Sequence, residues 1–353
     1  MPVPETNALS EFVKDSWGRP LRALRVSVTD RCNLRCQYCM PEEEYVWLPR
    51  ETLLTFEEIV LLTDLFADHG VDKVRITGGE PLLRKDLAKL IRMIRQNSRI
   101  QDIAVTTNGV LLGEQAQSLF DAGLHRITVS LDTLKPERFK ALTRRDTLGA
   151  VLEGIASVGQ VGFTGLKLDT VAMKGFNEDE LIPLIEFGKQ VNGEVRFIEY
   201  MDVGGANEWS ADKVLSRNEI LAAMSKYYGA IEPVREISSA PAQRFRLPDE
   251  TTFGIISSTT MPFCSTCDRS RLTADGMWYL CLYAKTGFDL RKPLRAGRFR
   301  EEIYSMIQSV WESRKDRGAE ERKELERSTG RGRYIDIDQL RQDPHLEMHA
   351  RGG

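Results

Sequence analysis

With 353 residues, 41% hydrophobic and 29% charged, the chain can bury one large core or two moderate ones, and its composition is that of a soluble enzyme. A net charge of −3 excludes general attraction to nucleic acid, so any anion site has to be built locally. Residues Met1 to Glu11 carry no basic-then-apolar signal and no run of about 18 apolar residues offers a span, so a cytoplasmic protein without membrane partners is expected.

Ala23-Leu24-Arg25-Val26-Ser27-Val28-Thr29 reads as a strand, with turn chemistry following at Asp30 and Asn33. Thr55-Phe56-Glu57-Glu58 is a capping box, and Ile59, Leu62, Leu65 and Phe66 recur at helical spacing until Gly70. The alternation then repeats, with strands over 73–77, 103–107, 126–131, 166–172 and 194–200 and helices over 85–95, 114–121, 148–160 and 180–190. Six strands alternating with helices predict an α/β fold with a parallel sheet and a ligand site beyond the strands' carboxyl ends. Six units are too few for a closed eight-stranded barrel.

Beyond Met201 the pattern changes to a helix over 217–226, short strands near 243–247 and 253–257, a hairpin turn at Asp275-Gly276 and a helix over 300–313. This predicts two domains, 1–215 and 216–353. The charged stretch 314–333 is expected to be a solvated face or partly disordered.

The six cysteines fall into two groups of three, which a disulfide framework does not require and a reducing compartment permits. Cys32, Cys36 and Cys39 follow the first strand at the spacing C-x3-C-x2-C, with no fourth thiol nearby. A [4Fe-4S] cluster takes one thiolate per iron, so three thiols leave one iron open to an exogenous ligand. Structural zinc is closed by four ligands, usually in paired C-x2-C steps. Cys264, Cys267 and Cys281, at C-x2-C-x13-C, repeat the shortage, and a second [4Fe-4S] cluster is the economical reading. The four histidines, at 69, 125, 345 and 349, all lie far from that triad in sequence, so a Cys3His zinc site would need a distant donor.

Gly78-Gly79-Glu80 directly follows the second strand, and taken alone a glycine pair there is only a turn. Ser130 and Met201 end the fourth and sixth strands. Arg25, Lys73, Arg75, Lys167 and Arg196 lie within strands, with Arg269 and Arg271 beside Cys267. Singly such residues are surface charges. Several unpaired cations inside one barrel are costly, and together they imply a polyanionic ligand such as a triphosphate.

The segments Leu24 to Cys32, Val74 to Leu82, Arg196 to Gly204 and Phe263 to Leu272 carry a resemblance to the GTP 3',8-cyclase family, radical S-adenosylmethionine (SAM) enzymes that open molybdenum cofactor biosynthesis. It runs from Arg19 to the terminal Gly352-Gly353. The resemblance implies a partial (βα)6 barrel with a smaller α+β carboxyl-terminal region covering its mouth. It also implies that Cys32, Cys36 and Cys39 hold the cluster that chelates SAM, with Tyr38, Gly79, Ser130 and Met201 around SAM. Cys264, Cys267 and Cys281 would hold the second cluster, whose open iron binds the guanine of GTP. The triphosphate and ribose would meet Arg25, Arg75, Thr106 and Lys167, with Lys73 nearby and Arg269, Ser270 and Arg271 beside the second cluster. Gly352 and Gly353 would enter the active site, where any Cβ would clash.

The implied reaction takes an electron from an external donor, splits SAM, abstracts hydrogen from ribose C3' of GTP and joins C3' to guanine C8. Its product, (8S)-3',8-cyclo-7,8-dihydroguanosine triphosphate, would pass to a downstream cyclic pyranopterin monophosphate synthase, and a homodimer is expected. Two departures from the family pattern stand out: a carboxylate at Asp268, and Ala350-Arg351 where larger apolar residues are usual. The runner-up is a radical SAM enzyme with an auxiliary cluster acting on a peptide, against which the basic residues argue. An electron-transfer iron–sulfur protein or a zinc-stapled binding module would need neither Gly78-Gly79-Glu80 nor an open iron.

Overall fold

A single sheet of twelve strands organises the protein in the computed structural model, which describes residues 12–42, 44–203, 209–236, 238–329 and 337–352. Its middle is six parallel strands paired in chain order: β1 (Ala23–Ser27), β2 (Lys73–Thr77), β3 (Asp102–Thr107), β4 (Arg126–Ser130), β5 (Leu166–Ala172) and β6 (Glu194–Glu199). Between them run α1 (Phe56–Asp68), α2 (Leu87–Arg95), α3 (Leu112–Asp121), α4 (Pro136–Thr143), α5 (Leu148–Val161) and α6 (Leu181–Gln190). α1 starts at the expected box, in which Thr55 accepts from the Glu58 amide while the Glu58 carboxylate caps the Thr55 amide. α4 is an addition to the expected elements.

Strands buried on both faces usually read as continuous apolar runs, but these alternate. In β5, Leu166, Leu168, Thr170 and Ala172 are buried on the helix side, while Lys167, Asp169 and Val171 face inward. The core therefore lies between sheet and helices, where Leu24, Val74, Ile103, Ile127 and Leu168 meet Leu62, Leu90, Leu119, Ile155 and Leu184. The inner face is left for chemistry.

The carboxyl-terminal half contributes α7 (Arg217–Tyr228), β7 (Glu232–Pro233), β8 (Gln243–Arg246), β9 (Thr252–Ile256), β10 (Arg269–Leu272), β11 (Met277–Tyr279), β12 (Phe288–Asp289), α8 (Arg291–Arg295), α9 (Arg300–Glu312), α10 (Gly318–Thr329) and α11 (Ile337–Gln342). β9 pairs parallel with β6 and β10 parallel with β1, so this half extends the same sheet at both edges. The position 215/216 falls just before α7, and the two halves share one sheet across it. Of the charged stretch 314–333, α10 occupies 318–329 with Glu321 and Glu324 exposed, Arg314 and Arg322 are buried, and 330–336 lie outside the described residues. Among the described residues no helix is long and apolar enough to cross a membrane.

Candidate active site

The sheet encloses a cavity of about 670 Å³, and all six cysteines line it. Of the residues expected from sequence, Arg25, Tyr38, Lys73, Arg75, Gly79, Thr106, Ser130, Lys167, Arg196, Met201, Arg269 and Arg271 line it too. Strand register explains the convergence. Arg271, Arg25 and Arg75 stand side by side on β10, β1 and β2, and Arg269 and Lys73 flank Ala23 one layer nearer the amino ends. Ser270 is a correction. It pairs with Leu24 in a strand whose exposure alternates, so its side chain lies on the opposite face from Arg269 and Arg271 and is fully buried there.

The cations are buried and crowded against one another. Burial, with Arg271, Arg75 and Arg269 adding to it, pushes Arg25 well below the usual guanidinium range. Burial likewise lowers Arg75, pushes Arg271 down to about 10 and, with Arg196 and Arg126, brings Lys167 down to about 7. Such shifts mark a site awaiting anionic charge. Arg75 is oriented by donating to the Thr106 and Thr128 hydroxyls, each at 3.0 Å. Arg196, by contrast, has a protein partner in Glu194 at 2.8 Å.

The first thiol loop is spliced backbone to backbone onto the Gly78-Gly79-Glu80 segment. The Gly79 amide donates to Thr29 O and the Glu80 amide to Arg31 O, both at 2.8 Å. A Cβ on Gly78 (φ 150°) would lie 2.4 Å from Thr29 O, and one on Gly79 2.4 Å from Arg31 O. Glu80 is buried and pushed up to about 7 by that burial, and it accepts from Leu82 N, Thr107 Oγ1 and Asn108 N at 2.7–2.9 Å. It thereby ties β3 to the loop. Asn108 continues the tie, donating to Asn33 Oδ1 at 2.7 Å and to Cys32 Sγ at 3.8 Å. Tyr38 donates its hydroxyl to Asp132 at 2.7 Å, and burial pushes Asp132 up to about 6. Replacing Gly79 by Ala is expected to pry the loop from β2, lower bound iron and reduce the melting temperature by several degrees, as overpacking against backbone costs about 1–3 kcal/mol. Iron analysis and calorimetry check it, and an unchanged iron content would refute the splice.

The thiols fit an iron–sulfur cluster. Burial pushes Cys32, Cys36 and Cys39 up, repulsion from the neighbouring thiols adds to it at Cys36 and Cys39, and Arg35 opposes it at Cys32, so the three lie within electrostatic reach of one another. Among the described residues no three His, Cys, Asp or Glu gather about one metal ion, as a mononuclear zinc site requires. A cluster distributes its thiolates over separate irons.

The second triad is assembled from distant segments. Cys264 begins a short turn and Cys281 follows β11. α10 starts against them: a Cβ on Gly318 would lie 3.0 Å from Cys281 Sγ, and burial raises the Cys264 thiol while the Glu320 and Ala319 amides donate to it. Arg314, whose side chain is 1% exposed, donates to Cys267 O at 3.0 Å and to Cys267 Sγ at 3.7 Å. Burial raises Cys267, but Arg269 and Arg314 outweigh it and bring it down to about 7. Arg19 braces the same turn through Cys264 O at 2.9 Å and is itself paired with Asp15 at 2.6 Å.

The tail reaches the cationic row. Gly352 O accepts from Arg25 Nε at 2.9 Å and from Arg271 at 2.8 Å, while Gly353 lies outside the described residues. Arg351 anchors it, with its guanidinium 4.3 Å from the Tyr279 ring centroid and donating to the carbonyls of Leu282 at 3.0 Å and Ala284 at 2.6 Å. The sequence reading missed Asn108, Thr128, Asp132, Arg314 and Arg351. Asn108 and Asp132 lie just beyond the carboxyl ends of β3 and β4, where the carboxyl-end rule would have raised them, while Thr128 sits in the middle of β4. Arg314 carried no local signal, and Arg351 stood out only as a departure from the family pattern, with no role attached.

The chain matches the Radical SAM superfamily over residues 26–188 and Molybdenum Cofactor Synthesis C over 193–320. It is 55% identical to "GTP 3',8-cyclase 3" of Mycobacterium bovis over 345 residues, 97% of this chain and 90% of that one. The chain belongs to the GTP 3',8-cyclase family. It is thus a radical SAM lyase of molybdenum cofactor biosynthesis, using SAM and iron–sulfur chemistry. The family's Aquifex aeolicus member is 46% identical over 315 residues, 89% of this chain and 96% of its own. SuiB of Streptococcus suis, solved with S-adenosylmethionine bound, shares the fold at a TM-score of 0.58 and 16% identity over 82% of this chain and 68% of its own.

Proposed function

We propose that the chain performs its family's conversion of GTP to (8S)-3',8-cyclo-7,8-dihydroguanosine triphosphate inside this cavity, with SAM and GTP held at its two thiol triads. Supporting this reading is one observation: all six cysteines and the strand cations line a single cavity. Cys32, Cys36 and Cys39 would hold a [4Fe-4S] cluster that, with SAM, supplies the hydrogen-abstracting radical. Tyr38, Gly79, Ser130 and Met201 surround the SAM position. A second [4Fe-4S] cluster would rest on Cys264, Cys267 and Cys281 and receive the guanine, with Arg269 beside it. Arg75, Lys167 and Thr106, with Lys73 nearby, receive the triphosphate and ribose. Arg25 and Arg271 hold the Gly352 carbonyl as well as facing the nucleotide. The protein's own contribution is orientation and exclusion of water and stray hydrogen donors. Residues 1–215 form the radical SAM partial-barrel domain and 216–353 the carboxyl-terminal domain with the second cluster and the di-glycine tail. An external electron donor, a homodimer and hand-over to a cyclic pyranopterin monophosphate synthase complete the reading. Anaerobic incubation with SAM, reductant and GTP, followed by product identification, tests it, and SAM cleavage without cyclised nucleotide would overturn it.

Arg75→Ala is expected to weaken GTP binding roughly ten- to a hundredfold, the worth of one charge-assisted contact. Lys167 gives the site a pH dependence. Brought down to about 7, it is largely neutral in the free enzyme at about pH 8, and a bound triphosphate raises it again. Binding then takes up a proton, and affinity falls as pH rises through about 7. Calorimetry in buffers of different protonation enthalpy measures this uptake, which Lys167→Arg should remove. No proton uptake in the unaltered enzyme would place the phosphates elsewhere.

A further inference from the structure

Asp169 breaks the cationic pattern. It follows Lys167 by two residues on β5, so both side chains face inward, and both line the cavity. It stands in register with Ser130 on β4 and Arg196 on β6. Arg196 already has Glu194, whereas Asp169 Oδ1 is buried and has no hydrogen-bond partner among the described residues. Arg196, Arg75, Lys167 and Arg25 all influence it electrostatically, yet no ion pair with any of them forms among the described residues. A buried acceptor left without a donor is destabilising unless a ligand supplies one.

What kind of ligand group would supply it follows from charge and height. A carboxylate repels phosphate, so Asp169 is complementary to the donor-bearing part of the nucleotide, not to its triphosphate. Strands rise about 3.3 Å per residue, which places Asp169 about 6.6 Å nearer the strands' carboxyl ends than Lys167, roughly the step from a phosphate to its ribose. Guanine also carries donors, but in the reading above the base lies at the second triad, beside β10. Asp169 is on β5, with β1 to β4 between the two in the sheet.

We propose that Asp169 accepts hydrogen bonds from the ribose hydroxyls of GTP, and that this buried carboxylate makes the cavity select a ribonucleotide and fixes the sugar edge that bears C3'. The assignment rests on placing the triphosphate at Arg75 and Lys167. Ser130, its neighbour in register on β4, does not donate to Asp169 Oδ1, which leaves that atom to a donor from a ligand.

The experiment is anaerobic calorimetry on the cluster-loaded full chain without reductant, titrating GTP, 2',3'-dideoxyGTP, inosine triphosphate and inorganic triphosphate. The unaltered enzyme is expected to bind GTP roughly ten- to a hundredfold more tightly than the dideoxy analogue. Asp169→Ala should erase that ratio while leaving inorganic triphosphate bound as well or better, because a repelling charge is gone. Asp169→Asn keeps the volume and should give an intermediate ratio, and it carries the test if the Ala variant does not fold. A GTP to dideoxyGTP ratio untouched by both substitutions would overturn the proposal. So would a change confined to the ratio of GTP to inosine triphosphate, which would assign Asp169 to the base. Failure of inorganic triphosphate to bind, unaffected by Arg75→Ala, would instead sink the triphosphate placement.

Discussion

Replacing Cys32, Cys36 or Cys39 by Ala abolishes SAM cleavage, and with it all cyclised nucleotide, whereas Cys264→Ala, Cys267→Ala or Cys281→Ala stops cyclisation yet leaves uncoupled SAM cleavage. These are the expected results if the two triads divide the work. The first triad sits on the loop that Gly78-Gly79-Glu80 pins to β2 and β3, beside the Tyr38–Asp132 pair, and nothing from the carboxyl-terminal half supplies a thiol there. The second is held by Arg19, Arg314 and the start of α10, across the sheet edge. Losing a thiolate should cost more than the roughly 10- to 100-fold typical of losing an outer hydrogen-bond partner of a metal site. Chromatography of 5'-deoxyadenosine and of the nucleotide product, with iron analysis, separates the cases. Each substitution should remove about four irons per chain. Undiminished product from Cys264→Ala would sink the second cluster.

What the sequence made legible is what is local in it. Three thiols on one loop, a capping box at Thr55 and the period-two placement of Arg25, Arg75 and Lys167 need no knowledge of the fold. The edges of the sheet were not legible in this way. β9 was expected as a strand over 253–257 but its pairing with β6 was not, and β10 is four residues long and pairs with a strand some 250 residues away, so no periodicity announces it. α10 was hidden for a different reason. Its residues are mostly charged, and its support comes from Gly318 lying against Tyr283 and Cys281 rather than from an apolar face of its own. Ser270 shows the converse error: a motif match carries over a residue's position but not its face, and β10 turns that side chain away. Asp169 lay between Lys167 and Val171 in a strand whose alternation was plain, yet its meaning appears only when its neighbours are known to leave it without a donor.

Truncation after Ala350 is expected to abolish cyclisation while SAM binding and both thiol triads persist, because none of their residues is removed. Gly352 is in the left-handed region at φ 64°, where a Cβ would lie 2.2 Å from Thr77 Cγ2 and 3.0 Å from Ser27 Oγ. For any other residue that backbone costs about 1–2 kcal/mol before the clash is counted. Gly352→Ala should therefore expel the tail from the Arg25 and Arg271 donors, and its effect on product should approach that of truncation. Arg351→Ala acts one step back. It removes the donors to the Leu282 and Ala284 carbonyls and the stacking on Tyr279, so it should weaken the tail's seating without blocking it. A synthetic peptide ending Arg351-Gly352-Gly353, added to the truncated enzyme, should restore cyclisation. The same peptide carrying Ala at 352 should not, and one carrying Ala at 351 should need a concentration roughly tenfold or more higher, the worth of its lost hydrogen bonds. Undiminished cyclisation after truncation would make the tail a bystander, and loss of iron would make it a structural strut, because a positioning tail leaves the clusters intact and changes only what the radical does next.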